Sequence, residues 1–432
     1  MKIVLDLLYL SALAAISPLV FYRMIRHNRY RAGWSDRFGK ISRRNPRKKC
    51  IWIHAVSVGE VNATRTVVRE LRDRFGDFEI VISTTTDTGF ARATDVFGDD
   101  LVVFYFPLDF SWTMRRAFEN IRPSLCLLME LEVWPNFVRI AQRLHVPVAV
   151  INGRISNRSF SRYRMVKPFV EKMFGRLSLI LAQTDEYASR FTELGAVDDK
   201  VIVTGSLKYD TAEVTDNVEG ADALAVQLNI GNETLWVAGG TGNNEEKMLV
   251  DVYRKLLQCD GFDEVRLAIV PRKPERFDEV AEIIKQAGFD VIRYSRFKGK
   301  TPAARTDSRT VILGDTMGDM RKFYSLATIV FVGRSLVPMG GSDMIESAAL
   351  GKCTVFGPYT SNFTQTVDAL LAGEGAIEVQ NEGELLRSLQ KCLSQPDFAH
   401  TIAQNGREII KNNQGATAKS VDRIAELLRN RP

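Results

Sequence analysis

Residues 51–75, IWIHAVSVGEVNATRTVVRELRDRF, read as a buried strand followed directly by a helix. Positions 51–56 are apolar almost throughout, the pattern of a strand covered on both faces. From 61 to 75 the period changes, and Val67, Val68, Leu71 and Phe75 fall on one helical face. Comparable apolar runs recur at 78–83, 102–106, 125–129, 146–151, 179–182 and 201–204, with helix-period segments between them. Strand–helix alternation of this kind predicts an α/β fold with a parallel sheet covered by helices on both sides.

Residues 217–232 turn polar, and the series restarts at 235–238, 265–270, 290–294, 310–313, 329–332 and 353–356. A second doubly wound, Rossmann-like domain is the economical reading. The expected divisions are 1–49, 50–214, 215–398 and a C-terminal helical segment at 399–432. Ligands of such sheets lie outside the carboxyl ends of the strands, so two facing domains predict a cleft lined by loop residues.

The chain has 432 residues, 45% hydrophobic content and a net charge of +6. Residues 1–50 hold 12 Lys and Arg against two acidic residues, leaving 46 basic and 50 acidic residues elsewhere. The positive excess therefore follows the apolar run 3–22 and is not a stripe across a folded face, which argues against nucleic-acid binding and for a membrane surface. That run is long enough for a tilted membrane-spanning helix, and Arg23, Arg26, Arg29 and Arg31 behind it would hold the rest of the chain in the cytoplasm. Asp6 and Pro18 leave a helix lying in the interface as the alternative. Five cysteines without a CxxC pair or a neighbouring His cluster suit a reducing compartment and predict no metal site.

Several loops carry candidate chemistry. In His54-Ala-Val-Ser57-Val-Gly-Glu60 the glutamate falls in the first turn of a helix, where its ionised form is favoured and could serve as a base for a hydroxyl group. Glu130-Leu-Glu132-Val-Trp134-Pro-Asn136 places two carboxylates at a strand's carboxyl end, at a spacing suited to organising a loop or holding polar substrate groups. Arg154 follows Asn152-Gly153, and Arg158, Phe160, Arg162, Tyr163 and Arg164 come next, a mixture suited to a phosphorylated amphipathic ligand. The second half offers Gly239-Gly240-Thr241-Gly242, then Arg272 and Lys273. Its third loop runs from Gly333 through Ser335, Gly340, Gly341 and Asp343 to Glu346. Glycine loops after strands, cations and a carboxylate one turn on are the parts of a nucleotide site.

These stretches, in this order, resemble the 3-deoxy-D-manno-octulosonic acid (Kdo) transferase family over nearly the whole chain. The resemblance rests on HAVSVGE (54–60), FPLD (106–109), ELEVWPN (130–136), NGRISNRS (152–159), GSLKYD (205–210), PRKPERF (271–277), GDTMGDM (314–320) and FVGRSLVPMGG (331–341). It implies a GT-B fold, an N-terminal membrane segment, an acceptor domain at 50–214 and a CMP-binding domain at 215–398. The implied reaction is inverting transfer of Kdo from CMP-Kdo to a lipid A precursor at the inner membrane, with no cofactor or metal. Glu60 matches the family's general base; Ser57, Arg154 and Lys208 lie on motifs expected to meet the acceptor. Arg272, the 333–343 loop and Glu346 lie on the expected CMP motifs. The donor half departs from the family pattern: Lys273 replaces His, Arg334 replaces Gly, Ser342-Asp343 replaces His-Asn, Ser347 replaces Pro, and Gly242 stands where His is common. Those departures leave a related CMP-activated acid, or weaker turnover, as alternatives, beside a GT-B enzyme or epimerase that uses another nucleotide sugar.

Overall fold

The computed structural model describes residues 2–26, 31–231, 233–302 and 307–429. It divides into two compact units, Met1–Thr211 with Gln414–Pro432, and Ala212–Asn413. The stretch expected as one C-terminal helical segment therefore splits: the helix Pro396–Asn412 stays with the second unit, and Ala416–Arg429 returns to the first.

In the first unit, β1 (Lys49–His54), β2 (Phe78–Thr84), β3 (Val102–Tyr105), β4 (Leu125–Met129), β5 (Val148–Gly153), β6 (Leu179–Ala182) and β7 (Val201–Val203) form one parallel sheet in the order β3-β2-β1-β4-β5-β6-β7. The order reverses between β1 and β4, so the crevice at their carboxyl ends is where a ligand belongs. Strand alternation sends Trp52 to one face, against Phe104, Phe118 and Phe137, and Ile51 and Ile53 to the other. On that second face Val421 and Ile424 of the returning helix pack in the same core as Val61, Val67 and Val68. The return is pinned by the Asp210 carboxylate, which accepts the amides of Gly415 (2.7 Å) and Thr417.

In the second unit, β8 (Leu235–Thr241), β9 (Arg266–Pro271), β10 (Asp290–Arg293), β11 (Thr310–Leu313), β12 (Ile329–Val332), β13 (Cys353–Phe356) and β14 (Ile377–Glu378) form a parallel sheet in the order β10-β11-β9-β8-β12-β13-β14. Its reversal lies between β8 and β12, which places the glycine loops at 239–242 and 333–341 on either side of that point.

Lys2–Arg26 is a 25-residue helix, but the span expected of it is not what the structure shows: among the described residues no helix is long and apolar enough to cross a membrane. Two of its polar residues, Asp6 and Tyr9, bond to other parts of the first unit. Asp6 accepts the Ser111 amide (2.9 Å) and hydroxyl (2.5 Å), and Tyr9 donates to Asp109 (2.9 Å). Asp109 in turn accepts the amides of Asn136 (2.9 Å) and Phe137 (2.8 Å). Two helix N-termini, at Ser111 and Pro135, are thus capped by carboxylates that also seat the N-terminal helix. Leu7, Leu10, Ile16, Leu19, Phe21 and Ile25 of the same helix remain exposed.

Candidate functional site

Three carboxylates gather where the first sheet reverses. Ser57 caps the Val58–Arg74 helix, its hydroxyl accepting the Glu60 amide (3.3 Å) and donating to Glu60 Oε1 (2.9 Å). Glu60 Oε2 accepts the Val56 amide (2.9 Å), so a variant of the capping box holds the side chain at the mouth of β1. Burial raises the Glu60 pKa; the Val56 amide and Ser57 oppose the rise and the charge of Glu130 adds to it. Glu130 follows β4 with φ 51°, a left-handed conformation that costs a non-glycine residue about 1–3 kcal/mol. Glu132 accepts the Trp134 indole N–H (3.2 Å) and is pushed up to about 7, first by burial and then by the charge of Glu60.

Sequence reasoning assigned no role to His54. Its ring is fully buried, stacked on Phe106 at 3.8 Å, with Nδ1 at 3.0 Å from the Ser83 hydroxyl. Burial drives its pKa down to about 3, so it is neutral, and its Nε2 lies 4.0 Å from Glu132 without a hydrogen-bond partner among the described residues. The neutral ring borders Glu132. It supplies no balancing cation.

The other predicted acceptor residues stand at the neighbouring strand ends. Asn152, at φ 55°, ends β5 and its side-chain oxygen takes the Leu207 amide (3.0 Å), tying the short helix that carries Lys208 to the loop that carries Arg154. Arg154 is half-buried and has no ion pair among the described residues. Arg158, Arg162 and Arg164 are exposed, whereas Tyr163 is half-buried and its pKa is raised by burial and then by Glu132.

In the second unit a residue with no assigned role organises the loops at 239–242 and 333–341. The fully buried carboxylate of Glu245 accepts the amides of Gly242 (3.2 Å), Arg334 (2.5 Å), Ser335 (3.0 Å) and Leu336 (3.0 Å). Burial raises its pKa and the four amides oppose that rise. The Gly333 amide bonds Gly239 O (2.8 Å), and the Gly341 amide bonds Arg334 O (2.9 Å). Amides expected to receive a phosphate at Gly333 and Ser335 are thus occupied within the protein. Their glycines serve close approach: a Cβ on Gly333 would lie 2.6 Å from Thr241 Cα, and one on Gly239 would lie 2.3 Å from the Tyr324 ring. Gly240, Gly340 and Gly341 take φ of 68°, 83° and 80°.

Side chains are left to meet a ligand. Arg272 and Lys273 follow β9 and are exposed; Lys273 lies 3.8 Å from Glu275. Asp343 accepts the Ile345 amide (2.9 Å). Glu346 is pushed up to about 7 by burial and then by the charge of Asp343, with Arg321 and Arg272 opposing. The buried hydroxyl of Tyr324 has no hydrogen-bond partner among the described residues, and its pKa is raised by burial and then by Glu346 and Asp343. The structure thus groups Glu60, Glu130 and Glu132 in one unit and the 239–242, 272–273 and 333–346 residues in the other.

Two parallel, doubly wound units of this topology make a fold of GT-B type. A glycosyltransferase from Rickettsia africae shares the fold, with a TM-score of 0.58 and 15% identity over 89% of this chain and 100% of that one. Residues 32–211 match the family described as 3-deoxy-D-manno-octulosonic-acid transferase. The chain is 32% identical over 426 residues to the 3-deoxy-D-manno-octulosonic acid transferase of Haemophilus influenzae, covering 97% of this chain and 98% of that one. It is 31% identical to the enzyme of the same name from Bordetella pertussis, over 97% and 99% of the two chains. The chain belongs to the Kdo transferase family.

Proposed function

We propose that the chain transfers Kdo from CMP-Kdo to a sugar hydroxyl of a lipid A precursor, with Glu60 as general base. The observation that carries the assignment is the seating of Glu60 at the reversal point, fixed by Val56 and Ser57 and bordered by two more carboxylates. Burial and neighbouring negative charge bring a carboxylate closer to the basicity that proton abstraction near neutral pH requires. As Glu60 takes the acceptor proton, the hydroxyl oxygen bonds to the anomeric carbon from the face opposite the leaving group. The bond from that carbon to the CMP phosphate breaks, its electron pair leaves with CMP, and the configuration inverts. Arg272 and Lys273 stabilise the charge on the departing phosphate. Ser57, Glu130, Glu132, Arg154 and Lys208 orient the acceptor, while Glu346 and Asp343 receive hydroxyl groups of the donor.

Membrane association fits a lipid acceptor. The exposed Leu10, Ile16 and Phe21 of the N-terminal helix, the exposed Trp112, Met165 and Phe169, and the exposed arginines at 158, 162 and 164 support a surface that rests in the interface of an anionic leaflet, the cytoplasmic face of the inner membrane.

The test is transfer from CMP-Kdo to a tetraacylated lipid A precursor in detergent, native chain against Glu60→Gln. The expected result is product from the native chain and a loss of about 10²–10⁴-fold in the variant, with CMP binding retained. A variant within threefold of native refutes the base. A native chain that makes no product but binds lipid redirects the search to other CMP-activated acids.

A further inference from the structure

We propose that Arg334 binds an anionic group of the nucleotide-sugar donor, either the nucleotide phosphate or the carboxylate of an acidic sugar. The inference rests on the donor reading above and adds a residue to it. Arg334 stands directly after β12 and the Gly333 turn, with φ 59°. A side-chain-bearing residue adopts this left-handed conformation only where its surroundings impose it, and such residues cluster at ligand sites. Here the imposition is visible: Glu245 takes the Arg334 amide at 2.5 Å, and the Arg334 carbonyl receives Gly341 N at 2.9 Å.

That backbone turns the side chain over the 239–242 loop. A Cβ added at Gly242 would lie 2.9 Å from Arg334 Cγ and 2.6 Å from Met339 Sδ, so the absence of a side chain at 242 is what makes room for the arginine stem. Nη2 donates to Met339 O at 3.0 Å, which fixes the guanidinium plane. Nε is buried and has no hydrogen-bond partner among the described residues. Among the described residues Arg334 forms no ion pair, and the acid beside it, Glu245, already serves four amides. Orphaned buried donors are rare in folded proteins and mark a missing partner.

A second unpaired guanidinium comes to the same loop. The Arg272 amide bonds Thr241 O at 3.3 Å, next to Gly242, and Arg272 also has no ion pair among the described residues. After burial, the charge of Arg272 is what most opposes protonation of Arg334. Two guanidiniums around one glycine loop, neither in an ion pair among the described residues, are complementary to an anion that can take both. Gly242 and Arg334 are also two of the departures from the family pattern. The geometry links them, because a Cβ at 242 would displace the Arg334 stem and the Met339 side chain from where they lie.

The experiment is calorimetric titration of the full-length native chain, Arg334→Met and Arg334→Lys with CMP and, separately, with CMP-Kdo. Methionine keeps the stem over Gly242 and removes the charge. Loss of a charge-assisted contact predicts affinity weakened about 10- to 100-fold in Arg334→Met and less in Arg334→Lys, with the unliganded melting temperature of both close to native. Weakening toward both ligands places the guanidinium on the phosphate; weakening toward CMP-Kdo alone places it on the sugar carboxylate. If the native chain binds both ligands and Arg334→Met binds them equally well, Arg334 has no ligand role. If the native chain binds neither, the donor reading and this inference fall together.

Discussion

Removing the Glu245 carboxylate is the sharpest perturbation of the donor loops. Glu245 receives amides from 242, 334, 335 and 336 at 2.5–3.2 Å, and its side chain is fully buried. Hydrogen bonds to a charged group contribute about 1.5–3 kcal/mol each and do not add, while breaking a buried charged set costs about 3–5 kcal/mol because its partners stay desolvated. We therefore expect Glu245→Ala to lower the local stability of these loops by about 4 kcal/mol. At about 1.4 kcal/mol per factor of ten, that corresponds to roughly 10³-fold faster hydrogen exchange at the four amides. Mass-spectrometric exchange on the full chain, read on peptides covering 240–244 and 333–338, measures it directly. Glu245→Gln keeps one accepting oxygen and should fall between alanine and native. Exchange in Glu245→Ala within threefold of native would mean that the loops hold themselves, and the role assigned to this carboxylate would be wrong.

Three further outcomes follow from other parts of the molecule. Glu132 has a folded pKa of about 7, above its unfolded value, so its protonated form favours the fold. Its contribution is fully present below the unfolded pKa and is lost as pH rises to about 7, at most about 3 kcal/mol. Glu132→Gln should therefore raise stability more at pH 8 than at pH 5 in urea titrations, and an equal effect at the two pH values contradicts this. Asp6→Ala removes the cap of the Ser111 helix and the seat of the N-terminal helix; about 1–2 kcal/mol of stability should go, with faster tryptic cleavage after Arg26, and an unchanged cleavage rate would show that the helix is held elsewhere. Gly239→Ala drives a methyl group to 2.3 Å from the fully buried Tyr324 ring and should cost about 1–3 kcal/mol; the same substitution in a Tyr324→Leu background should cost less, as a double-mutant cycle would show.

Much of the fold was legible because its signals are local. Runs at 125–129, 179–182, 310–313, 329–332 and 353–356 coincide with β4, β6, β11, β12 and β13, since a strand buried on both faces needs an unbroken apolar run. Reading failed where context overrides composition. Gly239 and Gly240 signal a turn, yet β8 continues to Thr241 because the neighbouring β9 still pairs with it, with an irregularity between Gly239 and Thr241. Two-residue β14 is too short to carry any period. The apolar character of residues 3–22 was plain, but its consequence was not: the partners of Asp6, at Ser111 and Asn136, lie more than a hundred residues away.

The site divides in the same way. Ser57-x-x-Glu60 can be read from sequence because a capping box is closed within one turn. Glu245 cannot, because an acidic residue in a helix's first turn usually serves its own helix, whereas three of the four amides here come from a loop about ninety residues on. The glycines at 239, 240 and 333 suggested open backbone amides for a phosphate, but a protein carboxylate and neighbouring strand ends already satisfy much of that backbone. On the donor reading proposed above, anion recognition in the second unit would fall to guanidinium groups more than to peptide dipoles.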